Sequence, residues 1–275
     1  MTKKKTITLL LVLVILIAGV VCGFMVRSKT PPKVISLSQK GLPTENVNLV
    51  AHRGFSAVAP ENSSAAFVEA GKARFFAAEC DIQLSKDNVW VVNHNKTIDK
   101  MTDGEGNIRD MTYDEISQYS VDGGHYPEKY TGQKLITLED YLAICDEYEI
   151  IPQIEVKEGN YSCLADILTA LDKYDMRTTA IIISFDGVIL EKIRNLDENI
   201  ELWYLTHEIT EDQIKLARLN NYALAFNCKK YDEEILRKAQ NENIKLASWT
   251  VDSIKIYEEL YELGIRNFTT NGLTK

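Results

Sequence analysis

The sequence predicts an α/β fold, a TIM (β/α)8 barrel with a loop-rich insertion after the second strand, preceded by an N-terminal transmembrane helix. Three observations predict it. Eight short apolar runs rich in β-branched residues alternate with helical patterns, the mark of βαβ units and a parallel sheet. A ninth run follows the second too closely to be another parallel strand. The 275 residues, 45% of them hydrophobic, suit one core of the size such barrels occupy, about 250 residues.

The eight runs lie near residues 48–52 (NLVAH), 77–82 (AAECDI), 150–156 (IIPQIEV), 179–185 (TAIIISF), 200–206 (IELWYLT), 222–227 (YALAFN), 245–250 (KLASWT) and 266–270 (RNFTT). The ninth, 89–93 (VWVVN), comes after only LSKDN, whereas a parallel partner needs a crossover of about a dozen residues. It must return as a hairpin, which folds His94 back beside Glu79 and Asp81. More than fifty residues then separate it from the third strand, including the polar stretches GEGNIRD and DGGHYPEKYTG. A connection that long reads as an insertion at the barrel mouth, about residues 95–148, ending in a helix over 138–148.

Residues 7–26, ITLLLVLVILIAGVVCGFMV, carry no charge over twenty positions, enough at ~1.5 Å per residue to span a hydrocarbon core of roughly 30 Å. The basic start, Lys3, Lys4 and Lys5, also suits a signal peptide. An uncut anchor over residues 1–27 is favoured, because the run exceeds the roughly 7 to 15 residues of a signal core and bulky Val26 and Arg27 stand where small residues mark cleavage. Val21 before Cys22 argues against lipid attachment. Positive charge is nearly balanced across the span, and the short amino-terminal tail favours a membrane-anchored protein whose catalytic domain is extracytoplasmic. Residues 28–46, with Pro31 and Pro32, read as a linker, and 47–275 as the barrel domain. Beyond residue 32 there remain 26 basic against 40 acidic residues, net −14, a composition that excludes most nucleic-acid binders. Cys80, Cys145, Cys163 and Cys228 form no CxxC pair and read as free thiols, most of them buried.

Active sites of such barrels gather at the carboxyl ends of the strands, so the polar residues ending the apolar runs are the candidates. The first run ends in His52-Arg53-Gly54, the second carries Glu79 and Asp81, the hairpin return ends in His94, and the third carries Glu155 and Lys157. Side chains alternate along a strand, so Glu79 and Asp81 share a face, as do Gln153, Glu155 and Lys157. Converging carboxylates raise one another's pKa unless a cation holds them ionised. All-oxygen ligands select a hard cation, so one divalent ion, Mg2+ or Ca2+, completes the site. Such an ion suits phosphoryl chemistry, with Arg53 and Lys157 on the phosphate and His52 and His94 as acid and base. Taken singly, each of these residues has a plain alternative: a histidine at a strand end is usually a hydrogen-bonded structural residue, and two acidic residues often form a solvated strand edge. Ala77, Ala78 and Ile82 argue for burial of the carboxylates instead.

The motifs HRG at 52–54, PEN at 60–62 with Phe67, ECD at 79–81, VWVVNH, ITLEDYL and IEVK at 154–157, followed by Ser184-Phe185, Trp249-Thr250 and TTNG at 269–272, together resemble the glycerophosphodiester phosphodiesterases over most of the chain. The resemblance implies Glu79, Asp81 and Glu155 as metal ligands, His52 and His94 as the acid–base pair, Arg53 and Lys157 at the phosphate, and Glu61 as a further site carboxylate. It implies hydrolysis of glycerophosphodiesters to glycerol 3-phosphate and an alcohol, with a small or lipid-derived phosphodiester as substrate. Two residues depart from the family pattern: Asn95 and Asn271 stand where aspartate is usual. The first deprives His94 of a neighbouring carboxylate, and the second is expected to be structural. A phospholipase or teichoic-acid-type phosphodiesterase, and a non-catalytic surface-binding barrel, are the alternatives. Tyr126, Tyr130 and the tryptophans are candidates to cage a choline.

Overall fold

All eight expected runs pair side by side in one parallel ladder. The computed structural model describes residues 30–275; the anchor assigned to residues 1–27 falls outside them. Among the described residues no helix is long and apolar enough to cross a membrane. A short strand β1 (Ile35–Ser36) precedes β2 (Asn48–Ala51) and β3 (Ala77–Leu84), and β4 (Trp90–Val92) returns antiparallel to β3 as the short LSKDN connection requires. The ladder continues through β5 (Ile151–Val156), β6 (Ile181–Ser184), β7 (Glu201–Thr206), β8 (Tyr222–Asn227), β9 (Leu246–Trp249) and β10 (Asn267–Thr270), and closes where β2 pairs with both β10 and β3.

Helices α1 (Ser64–Lys72), α2 (Tyr113–Ile116), α3 (Leu138–Glu147), α4 (Leu164–Lys173), α5 (Gly187–Leu196), α6 (Glu211–Asn220), α7 (Glu233–Asn241) and α8 (Ile254–Glu262) follow in order. Apolar residues at helical spacing face the strands, as Leu164, Ile167, Leu168 and Leu171 do in α4. Capping boxes at Thr137 with Asp140 and at Thr210 with Gln213 fix where α3 and α6 begin.

Strand alternation sorts two cores. Ala78, Cys80, Ile82, Ile154, Ile182, Leu202, Leu224, Leu246 and Phe268 pack outward with helix residues such as Phe67, Ile167 and Leu190. Ile181, Ile183, Trp203, Leu205, Ala223, Ala225 and Ala247 form a separate apolar cluster contributed by β6 to β9. The corresponding positions of β3 and β5 are Glu79, Asp81, Gln83, Gln153 and Glu155, buried despite their charge or polarity. The barrel is therefore lopsided, apolar on one side and acidic on the other.

The insertion between β4 and α3 is less loose than its composition suggests. Ile98, Met101, Ile108, Ile116, Val121 and Leu135 bury themselves around Val91 of β4. The stretch read as a linker is also packed from Ile35 onward: β1 pairs with β11 (Leu273–Thr274), Leu37 is fully buried, and the Tyr257 hydroxyl donates to the Pro43 carbonyl at 2.5 Å. Pro31 and Pro32 drew attention to stiffness, whereas Ile35, Leu37 and Val47 carry the apolar surface that decides the outcome. The four cysteines among the described residues are free, with Cys163 partly exposed and the others buried.

Candidate active site

The acidic side of the barrel is built by two neighbouring strands, β3 and β5. In the β3–β5 register Asp81 lies opposite Glu155 and Glu79 opposite Gln153. Strand alternation puts Glu79, Asp81 and Glu155 on one face, and an oxygen from each lies within 4.8 Å of the others. All three are buried, and Glu79 Oε1 has no hydrogen-bond partner. An orphaned buried carboxylate oxygen facing two more carboxylates fits a bound hard cation, which would satisfy it.

The turn after β2 delivers the first of the cationic side chains, and the end of β5 the second. Arg53 takes a left-handed conformation, φ 57°, and its N–H donates to Glu79 Oε2 at 2.7 Å. Gly54 follows at φ 73°, and a Cβ there would meet the Ala66 carbonyl carbon at 2.6 Å, so the third position of HRG admits no side chain. The Arg53 guanidinium reaches Glu61 at 2.9 Å and Asp81 at 3.4 Å, while Lys157 Nζ lies 2.5 Å from Glu155 and 3.2 Å from Asp81. Glu61 also accepts from Lys100 of the insertion at 2.6 Å. A second tie to the insertion runs from His125 Nδ1 to the Ser56 carbonyl, 2.7 Å.

The eight residues singled out from sequence thus gather in one place. Sequence reasoning passed over several that hold them. Asn62 clasps Asp81 twice, donating to its Oδ2 at 2.8 Å and accepting from its backbone N–H at 3.2 Å. Gln83 donates to the His94 carbonyl, and Asn93 to the carbonyls of Asn95 and Thr97, which shapes the turn carrying His94. The PEN motif contained Asn62 in plain sight; Gln83 and Asn93 had no signal beyond position. The Asn95 amide oxygen lies 2.9 Å from His94 Nδ1. The Asn271 amide oxygen lies 2.7 Å from His52 Nδ1.

Burial pushes Glu79 well above the ordinary carboxylate range, with Asp81 and Glu155 adding repulsion, and the same two causes, burial and Asp81, lift Glu155 to about 7. Burial pushes Asp81 the same way, but Arg53 and Lys157 outweigh it and hold its carboxyl below the usual range. His52 falls to about 4 through burial and the Arg53 charge, and burial lowers His94 as well. Glu79 and Glu155 take up protons on folding, so their contribution to stability is present below about pH 4.5 and is lost as pH rises toward and past 7. The melting temperature of the metal-free protein is expected to fall between pH 5 and 8 (roughly the window set by linkage), and saturating Mg2+ or Ca2+ to reverse the fall, by about 2.7 kcal/mol at a hundredfold excess over Kd. A thermal melt series with and without chelator checks this, and a cation effect independent of pH would contradict it.

A cleft of about 290 Å3 opens beside His94, lined also by Lys96, Lys157, Glu158, Phe185 and His207. Phe185, His207 and Trp249 touch ring to ring, with centroids 5.3 to 5.7 Å apart. Tyr126 and Tyr130, weighed as a choline cage, lie elsewhere: neither lines this cleft, and Tyr130 packs on Ala59, Ala65 and Ala66.

Likeness to known proteins places the chain among the phosphoric diester hydrolases. Residues 52–274 match the Glycerophosphoryl diester phosphodiesterase family, and the chain belongs to that family. It is 28% identical to a glycerophosphodiester phosphodiesterase of Caldanaerobacter subterraneus over 81% of this chain and 93% of that one. A glycerophosphodiester phosphodiesterase of Bacillus subtilis is also 28% identical, over 86% of this chain and 88% of its own. In fold the chain resembles an Oleispira antarctica phosphodiesterase solved with its product sn-glycerol-3-phosphate, with TM-score 0.76 and 23% identity over 86% of this chain and 96% of that one.

Proposed function

We propose that the protein hydrolyses glycerophosphodiesters to sn-glycerol 3-phosphate and an alcohol, using one divalent cation held by Glu79, Asp81 and Glu155. Charge balance is the observation that carries this reading. Glu61, Glu79, Asp81 and Glu155 face Arg53, Lys100 and Lys157, so the fully ionised cluster is one negative charge in excess. A divalent cation reverses that excess to one positive charge, which matches a phosphodiester monoanion. The ion would supply Lewis-acid polarisation of a phosphoryl oxygen and neutralise developing charge.

Arg53 and Lys157 bind the remaining phosphate oxygens as they are drawn from the carboxylates they now contact. His52, uncharged at neutral pH, removes a proton from the attacking hydroxyl or water, and His94 returns one to the departing alcohol, for which the cleft lined by Phe185 and His207 offers room. Glu61 holds Arg53 in place through its hydrogen bond at 2.9 Å. Residues 1–27 would anchor the protein in a membrane with the catalytic barrel outside the cytoplasm, a reading supported by the charge-free run over 7–26 and, for the orientation, by the short amino-terminal tail.

The decisive assay is release of sn-glycerol 3-phosphate from glycerophosphocholine by the chain from Pro31 onward, with Mg2+, with Ca2+ and with chelator. Metal-dependent release is expected. Hydrolysis undiminished by chelator would remove the cation from the reading, and a folded but inactive protein would move the substrate to intact lipid or surface polymer.

A further inference from the structure

The turn after β10 contains a chain of hydrogen bonds that the acid–base roles above do not use. Asp252 accepts from Thr270 Oγ1 at 2.9 Å, from the Asn271 backbone N–H at 2.7 Å and from Asn271 Nδ2 at 2.5 Å. A carboxylate accepts and does not donate, so it determines which way the Asn271 amide faces: NH2 toward Asp252, oxygen away. That oxygen lies 2.9 Å from Ser56 Oγ and 2.7 Å from His52 Nδ1. Both neighbours must therefore donate to it. An imidazole that donates from Nδ1 is left with Nε2 as its unprotonated nitrogen.

We propose that Asp252 and Asn271 are positioning residues that fix His52 in the Nδ1–H tautomer, leaving Nε2 as the proton acceptor. The function is divided between two side chains where a single carboxylate beside the imidazole would suffice. The neutral amide sets tautomer and ring orientation without placing a negative charge against the ring, and the charge stands one residue further out. A histidine arranged in this way is held by a neutral acceptor, which raises its basicity less than a carboxylate against the ring would and keeps it available as a base in acidic surroundings. Ser56, whose carbonyl also lies 2.7 Å from His125 Nδ1, links the relay to the insertion. The inference rests on His52 acting as the base, and its test separates the two claims.

Nitrogen-15 correlation spectra of the protein report the His52 tautomer directly, with or without cation and independently of turnover. In the wild-type protein the Nδ1–H form is expected. Asp252→Asn frees the Asn271 amide to turn, so the spectrum should show a mixture of tautomers, and kcat on glycerophosphocholine should fall about tenfold with KM within twofold. The exchange variant Asp252→Asn with Asn271→Asp returns an acceptor to Nδ1. It should restore the single tautomer, recover kcat and shift the acid limb of the pH profile upward, because a carboxylate now faces the ring. A wild-type Nε2–H tautomer, or a single Nδ1–H form retained in a folded Asp252→Asn protein, would overturn the relay. If Asp252→Asn does not fold, the exchange variant decides: an unshifted acid limb with a single tautomer overturns the proposal. Full activity in His52→Ala would instead remove the base assignment and leave the tautomer result standing.

Discussion

Asp81→Asn is expected to reduce turnover by at least about a thousandfold, which is roughly 4 kcal/mol of transition-state stabilisation. No other side chain in the site has as many partners: Arg53 at 3.4 Å, Lys157 at 3.2 Å, Asn62 at 2.8 Å, and the two carboxylates with which it shares the candidate cation. An amide keeps the volume but brings an NH2 group among Asn62, Arg53 and Lys157, all of them donors. The stability of the metal-free protein should change much less, because two effects oppose. Arg53 and Lys157 lose a counter-charge, while Glu79 and Glu155 lose a repulsive neighbour. The distinguishing measurement is the melting temperature with Mg2+ or Ca2+, where the rise expected of the wild type should vanish. Retention of the full cation-induced rise would place the ion elsewhere.

The second large effect concerns the imidazoles. His52→Ala and His94→Ala should each lower kcat by about 10²- to 10⁴-fold with little change in KM, and the double variant should lose far less than the product of the two, because the pair acts on one proton path. The pH profile of kcat/KM carries more information. A base must be unprotonated, so activity is lost as pH falls through the His52 value of about 4. An acid must be protonated, so activity is lost as pH rises through the His94 value, which burial sets below its ordinary 6.5. The optimum should therefore lie on the acid side of neutrality. Asn95→Asp places a carboxylate beside the His94 Nδ1 that Asn95 now meets at 2.9 Å, and should move the alkaline limb upward. An alkaline limb unmoved by that change would exclude His94 as the acid.

Much of this architecture was legible because the strands are punctuated by chemistry. The period-two pattern of Glu79 and Asp81 fixed their common face, and the five residues of LSKDN forced the hairpin that brings His94 round. What escaped was of two kinds. Isolated amides such as Asn62, Asn93 and Asn271 look alike in sequence whether they cap a turn or orient a catalytic group, since only the partner decides. Asn271 read as structural because its partners His52 and Ser56 lie 219 and 215 positions away. The packing of residues 35–47 escaped for a related reason: two-residue strands such as Ile35–Ser36 have no periodicity to detect, and their pairing with Leu273–Thr274 spans nearly the whole chain. The insertion read as loop because its apolar residues are spaced for neither helix nor strand, although they are numerous enough to form a core of their own.

The pairing of β1 with β11 also settles where tension on the amino-terminal side would act. The Ile35 N–H donates to the Gly272 carbonyl at 2.9 Å, one residue beyond Asn271, so the chain enters the fold at the rim bearing His52 and leaves toward the opposite end of the barrel at Asn48. With the proposed anchor ending near residue 27, the few residues up to Ile35 reach no more than about 30 Å even when fully extended. If residues 1–27 anchor the chain as proposed, that reach keeps the rim bearing His52 within about 30 Å of the end of the anchor, a limit that lengthening residues 28–32 would relax.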